Sequence, residues 1–178
     1  MPLSLDPSTG CLPSPPALHE ATADEVRATF VDGFPASQTR PAIWHAHEDH
    51  PTAWKPLLGA RAREQWLNGS FVTGKTDPGD LDFAMFVPLD EVNALASEQR
   101  NALDRLFSGA IRKWGGWLHA FMIPVAREGT PEATMATAQR VVLLQLFSRA
   151  RPTEGGCEKG SCAYGCDRWY ACRHWRDP

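Results

Sequence analysis

The chain has 178 residues, 43% hydrophobic and 22% charged, with a formal net charge of -3. A chain of this length buries about 70% of its unfolded surface, enough for one domain with an ordinary core. The charge balance leaves no electrostatic footprint for nucleic acid, and no apolar run approaches the roughly 18 residues of a membrane span. The opening "MPLSLDPSTG" lacks the charged and apolar regions of a secretory signal. The expectation is a soluble, cytoplasmic protein that does not engage a membrane.

Residues 1–20 carry five prolines and read as an extended arm. Thr22-Ala-Asp-Glu25 has the form of a capping box, with Val26 and Phe30 following on one helical face. A turn at Gly33-Phe-Pro35 leads to a second helix from about Thr39 to Leu58, which Pro51 is expected to break. Short strands are expected at 63–69 and 80–87. In the second, Leu81, Phe83, Met85 and Val87 share one face, and Asp80, Asp82 and Ala84 share the other. A helix follows from Ser97 to Trp114 on a stripe of Leu103, Leu106, Phe107, Ala110, Ile111 and Trp114. "WLHAFMIPV" at 117–125 is the third strand, stopped by Pro124, and Thr130-Pro131 opens a last helix to about Phe147. The order predicts an α/β (α+β) domain over 21–150, with a small mixed sheet and helices packed on one face. Residues 151–178 are expected to be a flexible, Cys-rich tail.

The segment "LNGSFVTGKTDPGDLDF", 67–83, carries the chemistry. Two carboxylates at i and i+2 on a strand point to the same side and can share a divalent cation. Like charges that close need solvent or a cation to compensate them. Gly69 allows a ligand to approach the backbone closely, and Ser70 adds a hydroxyl. Alone, Asp-x-Asp is common on solvated strands. The combination of Gly69-Ser70 with Asp80-x-Asp82 ten positions later resembles the signature of the DNA polymerase β-like nucleotidyltransferase superfamily. More closely, "GSFVTGKTDPGDLDF" is similar to small bacterial members with a Gly-Ser-Phe-Val-Thr-x-Lys-x-x-Pro-x-Asp-Ile-Asp pattern. "LPSPPALHEATADEVRATF", 12–30, is similar to their Pro-rich opening, so the resemblance covers roughly 10–150.

The resemblance implies that Gly69 and Ser70 contact the phosphates of a nucleoside triphosphate and that Asp80 and Asp82 ligate Mg²⁺, with Mn²⁺ as a substitute. Lys75 would neutralise phosphate charge, although a solvated lysine in a polar turn is the commoner arrangement. The implied reaction is nucleotidyl transfer to a hydroxyl acceptor, with a protein or a tRNA as the acceptor class. One departure stands out. Related proteins place a third carboxylate just before Ala-Phe on the next strand, where this chain has His119. Nitrogen suits Mn²⁺ or Zn²⁺ better than Mg²⁺. By alternation His119 should face the Asp80/Asp82 pair and act as a catalytic group or built-in counter-ion. The second reading is therefore a catalytically weakened domain that binds a nucleotide or a cognate partner protein, in a toxin–antitoxin or phage-defence pair.

Two other clusters are weaker. Cys157, Cys162, Cys166 and Cys172 with His174 form C-x₄-C-x₃-C-x₅-C, which contains no C-x₂-C knuckle. Incidental cysteines in a tail are expected there rather than zinc. His45, His47 and His50 with Glu48 and Asp49 read as a solvated polar face.

Overall fold

Alternation along one strand organises the layers, and burial follows it. Leu81, Phe83, Met85 and Val87 are all fully buried and join the main core, while Asp80 and Asp82 stay part-exposed on the opposite side. The computed structural model describes residues 3–7, 10, 19–61, 63–126, 129–130, 132–134, 138, 142 and 170–172. In chain order these form β1 (His19–Glu20), α1 (Ala23–Arg27) continued by a π-helical turn (Ala28–Asp32), and α2 (Arg40–Leu58). Then come β2 (Gln65–Asn68), a 3₁₀ turn (Ser70–Val72), β3 (Leu81–Pro88), α3 (Leu89–Ala94), α4 (Ser97–Ser108), α5 (Ala110–Lys113), β4 (Leu118–Val125) and β5 (Tyr170–Cys172).

The fold is α+β, with a sheet in the order β1-β5-β2-β3-β4. Its centre is mixed: β2 runs antiparallel to β3, and β3 runs parallel to β4, with α3 to α5 as the crossover. β5 pairs antiparallel with β2 and parallel with β1, so residues 170–172 add a strand to the sheet. The remainder of 151–178, with Cys157, Cys162, Cys166 and His174, lies outside the described residues, as does most of the helix expected to Phe147. Its start is described: Thr130 accepts a bond from the Ala133 amide, as an N-cap should. Among the described residues no helix is long and apolar enough to cross a membrane.

Four expectations are corrected. First, α2 is continuous through Pro51 and Pro56. Its stripe of Ile43, His47, His50, Trp54 and Leu58 is buried, and packing along that stripe outweighs the lost backbone donors. Second, His47 and His50 are core residues, only 2% and 1% exposed, rather than a solvated face. His47 Nε2 meets Gln65 Oε1 at 2.8 Å, and the His50 ring lies against Phe83, Phe107 and Trp114. Third, Pro124 does not stop its strand. It pairs with Val87 in the ladder of β4, which is the outer strand of the sheet among the described residues, where a missing donor is tolerated. The long helix expected over 97–114 is also divided at Gly109, and Ile111 is exposed rather than on the buried stripe.

The capping box at Thr22 is present as read: Thr22 Oγ1 accepts from the Glu25 amide at 3.2 Å, and Glu25 Oε2 accepts from the Thr22 amide at 2.8 Å. The main core gathers α1, α2, α4 and the inner face of β3 and β4. A smaller cluster of Trp66, Ala84, Phe86 and Ile123 lies on the outer face, beyond the acidic end of β3.

Burial lowers the pKa of His47 to about 4 and that of His50 to about 3. In the unfolded chain both bind protons below about pH 6.5, whereas the native chain leaves them neutral until pH nears those lower values. The unfolded state therefore binds more protons across that interval, and stability falls as pH drops through it. Urea melts from pH 7.5 to pH 4.5 should show a steadily falling midpoint, with a shallower slope in His50→Leu. A flat midpoint in the native chain would show that these histidines are not closed off from water.

Candidate functional site

The site rests on a loop fixed by one buried cation. Arg40, on the first turn of α2, is fully buried. Its guanidinium donates to five carbonyls: Phe30, Phe71, Thr73, Lys75 and Thr76. The Phe34 ring stacks on it at 3.9 Å. Burial lowers the Arg40 pKa to about 10, opposed by nearby Asp77, so it stays charged at neutral pH. Asp77 Oδ1 accepts from Ser37 Oγ at 3.0 Å and from the Gln38 amide at 2.7 Å, and the amide bond chiefly holds its pKa below the usual carboxylate range. Thr39 Oγ1 donates to the Pro78 carbonyl at 2.8 Å. Residues 71–78 are thus tied by seven hydrogen bonds to residues 37–40 at the start of α2, and Asp80 follows after Gly79.

Asp80 and Asp82 lie at the start of β3 and point to its outer face. The parallel register sets His119 directly opposite Asp82, with Asn68 of β2 opposite on the other side. His119 Nδ1 is 3.1 Å from Asp82 Oδ1 and 3.3 Å from Asp80 Oδ2. The three groups form one cluster, with donor atoms within 4.8 Å of one another, and all three are part-exposed. Donors sharing one ion at about 2.0–2.4 Å lie at most about 4.8 Å apart, so this set can hold a single divalent cation. The expected facing of His119 toward the aspartates is what the ladder produces. The cluster thus joins the interior strand β3, which carries Asp82, to the outer strand β4, which carries His119, with Asp80 just ahead of β3.

Gly69 ends β2 with φ of 81°, a conformation that favours glycine. A Cβ there would collide with Asp82 Oδ2, so the backbone of this turn lies against the Asp82 carboxylate. Ser70 opens the 3₁₀ turn, and its hydroxyl makes no hydrogen bond among the described residues. Lys75 is exposed. Its backbone serves the loop, its amide donating to Thr73 Oγ1 and its carbonyl accepting from Arg40, while its side chain is not drawn to the aspartates.

Arg40 and Asp77 position the loop and were not singled out from sequence as site-bearing residues. The signal for Arg40 was its place on the stripe shared with Ile43, Trp44 and His47, where a cation must find partners.

The chain belongs to a family described as "Family of unknown function (DUF6932)", which it matches over residues 6–163. No curated protein and no solved structure matches it.

Two outcomes follow from this geometry. Arg40→Met strands five carbonyls in a buried setting and should lower stability by about 3 kcal/mol or more in urea melts. A loss under about 1 kcal/mol would mean that water reaches those carbonyls. Gly69→Ala should displace the Asp82 carboxylate and weaken Mn²⁺ binding measured by titration, because the added methyl takes the space of Oδ2. Unchanged Mn²⁺ affinity would show that the Asp82 carboxylate has room to move without consequence.

Proposed function

We propose that this chain is a nucleotidyltransferase-type protein that binds a nucleoside triphosphate together with a divalent cation. The observation carrying the reading is the convergence of Asp80, Asp82 and His119 beside the Gly69-Ser70 turn, on a loop anchored to α2. Asp80 and Asp82 would hold the cation. When bound, it supplies positive charge to the phosphates and to an attacking oxygen. The Ser70 hydroxyl and the backbone of the Gly69 turn would meet the triphosphate, because this turn lies directly against the Asp82 carboxylate. The oxygen of an acceptor hydroxyl, on a protein or a tRNA, would attack the α-phosphorus while its proton passes to water, and pyrophosphate would leave as the bond from the α-phosphorus to the bridging oxygen breaks. The loop's many anchors hold these groups in place before the ligand arrives, which lowers the cost of ordering them on binding.

A second reading is a nucleotide binder with weakened transfer. What favours it is the place of His119 Nδ1, within 3.3 Å of both carboxylates, where the resembling proteins carry a third acid. A nitrogen there supplies no negative charge to a metal-bound triphosphate complex.

Incubation of the chain with each labelled nucleoside triphosphate, in Mg²⁺ or Mn²⁺, against protein and tRNA acceptors separates the two readings. Label transferred to an acceptor supports the enzyme, and binding without transfer supports the binder. In both, Asp82→Asn should abolish cation-dependent nucleotide binding. The part-exposed Asp82–His119 contact is worth about 1 kcal/mol or less, so stability should change little. Unchanged affinity for the metal–nucleotide complex in Asp82→Asn would show these carboxylates to be ordinary surface groups.

A further inference from the structure

We infer that the site selects a divalent first-row transition cation, of the Mn²⁺ and Zn²⁺ class, over Mg²⁺, through Nδ1 of His119. The inference rests on the cation-binding half of the proposed function and not on its nucleotide half.

Two observations and one rule of coordination chemistry carry it. The donor set is mixed, with one carboxylate oxygen from each of Asp80 and Asp82 and one imidazole nitrogen from His119. Mg²⁺ is a hard ion that sheds water reluctantly and takes oxygen ligands, whereas imidazole nitrogen binds transition ions well. Among the described residues no third carboxylate joins the cluster, so the imidazole stands where a further acidic oxygen would otherwise complete the set.

The position of His119 is also set by the backbone. Its partner in the parallel ladder is Asp82, and its chain neighbours Leu118 and Ala120 are buried in the core. The imidazole therefore stands over the carboxylates because the strand puts it there. Its Nδ1 already lies 3.1 Å and 3.3 Å from their oxygens, so a cation entering between them needs small side-chain shifts rather than a rearranged sheet.

Charge gives the same direction. Two carboxylates and a neutral imidazole around a divalent ion sum to zero, whereas three carboxylates leave the site negative. With one fewer negative charge the set loses attraction for a hard ion such as Mg²⁺ that relies on carboxylate oxygens, whereas the imidazole lone pair restores binding for a transition ion. The imidazole must present its Nδ1 lone pair to the ion, which places the ring proton on Nε2.

The test uses the full chain, freed of metal by chelation, with Mn²⁺ as the probe and no nucleotide. Electron paramagnetic resonance counts free Mn²⁺ during titration, Mg²⁺ and Zn²⁺ are added as competitors, and pulsed measurements read nitrogen coupling to bound Mn²⁺. The native chain should bind Mn²⁺ about tenfold or more tightly than Mg²⁺, with Zn²⁺ displacing Mn²⁺. Bound Mn²⁺ should show coupling to a histidine nitrogen, confirmed by isotopic labelling of histidine in the native chain, which needs no variant. His119→Asp should remove that coupling and narrow the Mn²⁺ preference, and Asp82→Asn should abolish binding. Mn²⁺ bound at Asp82 without nitrogen coupling, or displaced by equal Mg²⁺, would overturn the selectivity and leave the cation site standing. No binding of any of these ions would overturn both. Nitrogen-coupled Mn²⁺ in a chain that binds no nucleoside triphosphate would uphold this inference and sink the nucleotide reading.

Discussion

The buried guanidinium of Arg40 is the interaction on which the site depends. A charge removed from water at this depth is tolerated only when its donors are satisfied, and five carbonyls satisfy them. Four of those carbonyls come from residues 71–76, a stretch with little regular structure to pair its own backbone groups. Each side thus solves the other's problem: the loop neutralises the desolvated cation, and the cation replaces the missing sheet or helix partners of the loop. The fifth carbonyl, from Phe30, ties the end of the first helical segment to the same point. Asp77 adds a return anchor to the start of α2 through Ser37 and Gln38.

The consequence runs from packing to chemistry. The loop leads into β3, so its fixed path fixes where Asp80 begins, and strand alternation then sends Asp80 and Asp82 outward together. Parallel pairing with β4 supplies His119 opposite Asp82, and the turn at Gly69 closes the other side. Two elements that meet only through the sheet therefore contribute to one cluster. Because β3 is an interior strand, Asp82 has a strand neighbour on each side, Asn68 and His119, and it inherits the rigidity of both ladders.

Much of this was legible in the sequence where a local rule decided the matter. The capping box at Thr22, the two faces of β3, and the outward turn of His119 all follow from periodicities of two or of 3.6 residues. The misjudged elements were those where tertiary context ruled. His47 and His50 look polar by type, yet they lie on the buried stripe of α2 as aromatic rings against Phe83. Counting them as apolar would have completed the stripe and carried the helix through Pro51. For Arg40 the stripe marks burial but not the partners, which are carbonyls scattered from residue 30 to residue 76, and backbone acceptors leave no mark in composition. Strand β5 pairs with segments about a hundred residues or more away, and three residues carry no pattern long enough to announce it.

The alternation of β3 and β4 also divides labour between adjacent codons. Leu81 and Phe83 carry the core, whereas Asp82 between them contributes little to it, and Leu118 and Ala120 flank His119 in the same way. Inheritance can then act on the two sets nearly independently. A change at an inward position is judged by whether the chain folds, and a change at an outward one by what the surface can bind. A lineage built on this sheet could change an outward side chain such as that at position 119 without first acquiring a stabilising mutation elsewhere. The scaffold is conservative where it is hidden and open to revision where it faces water.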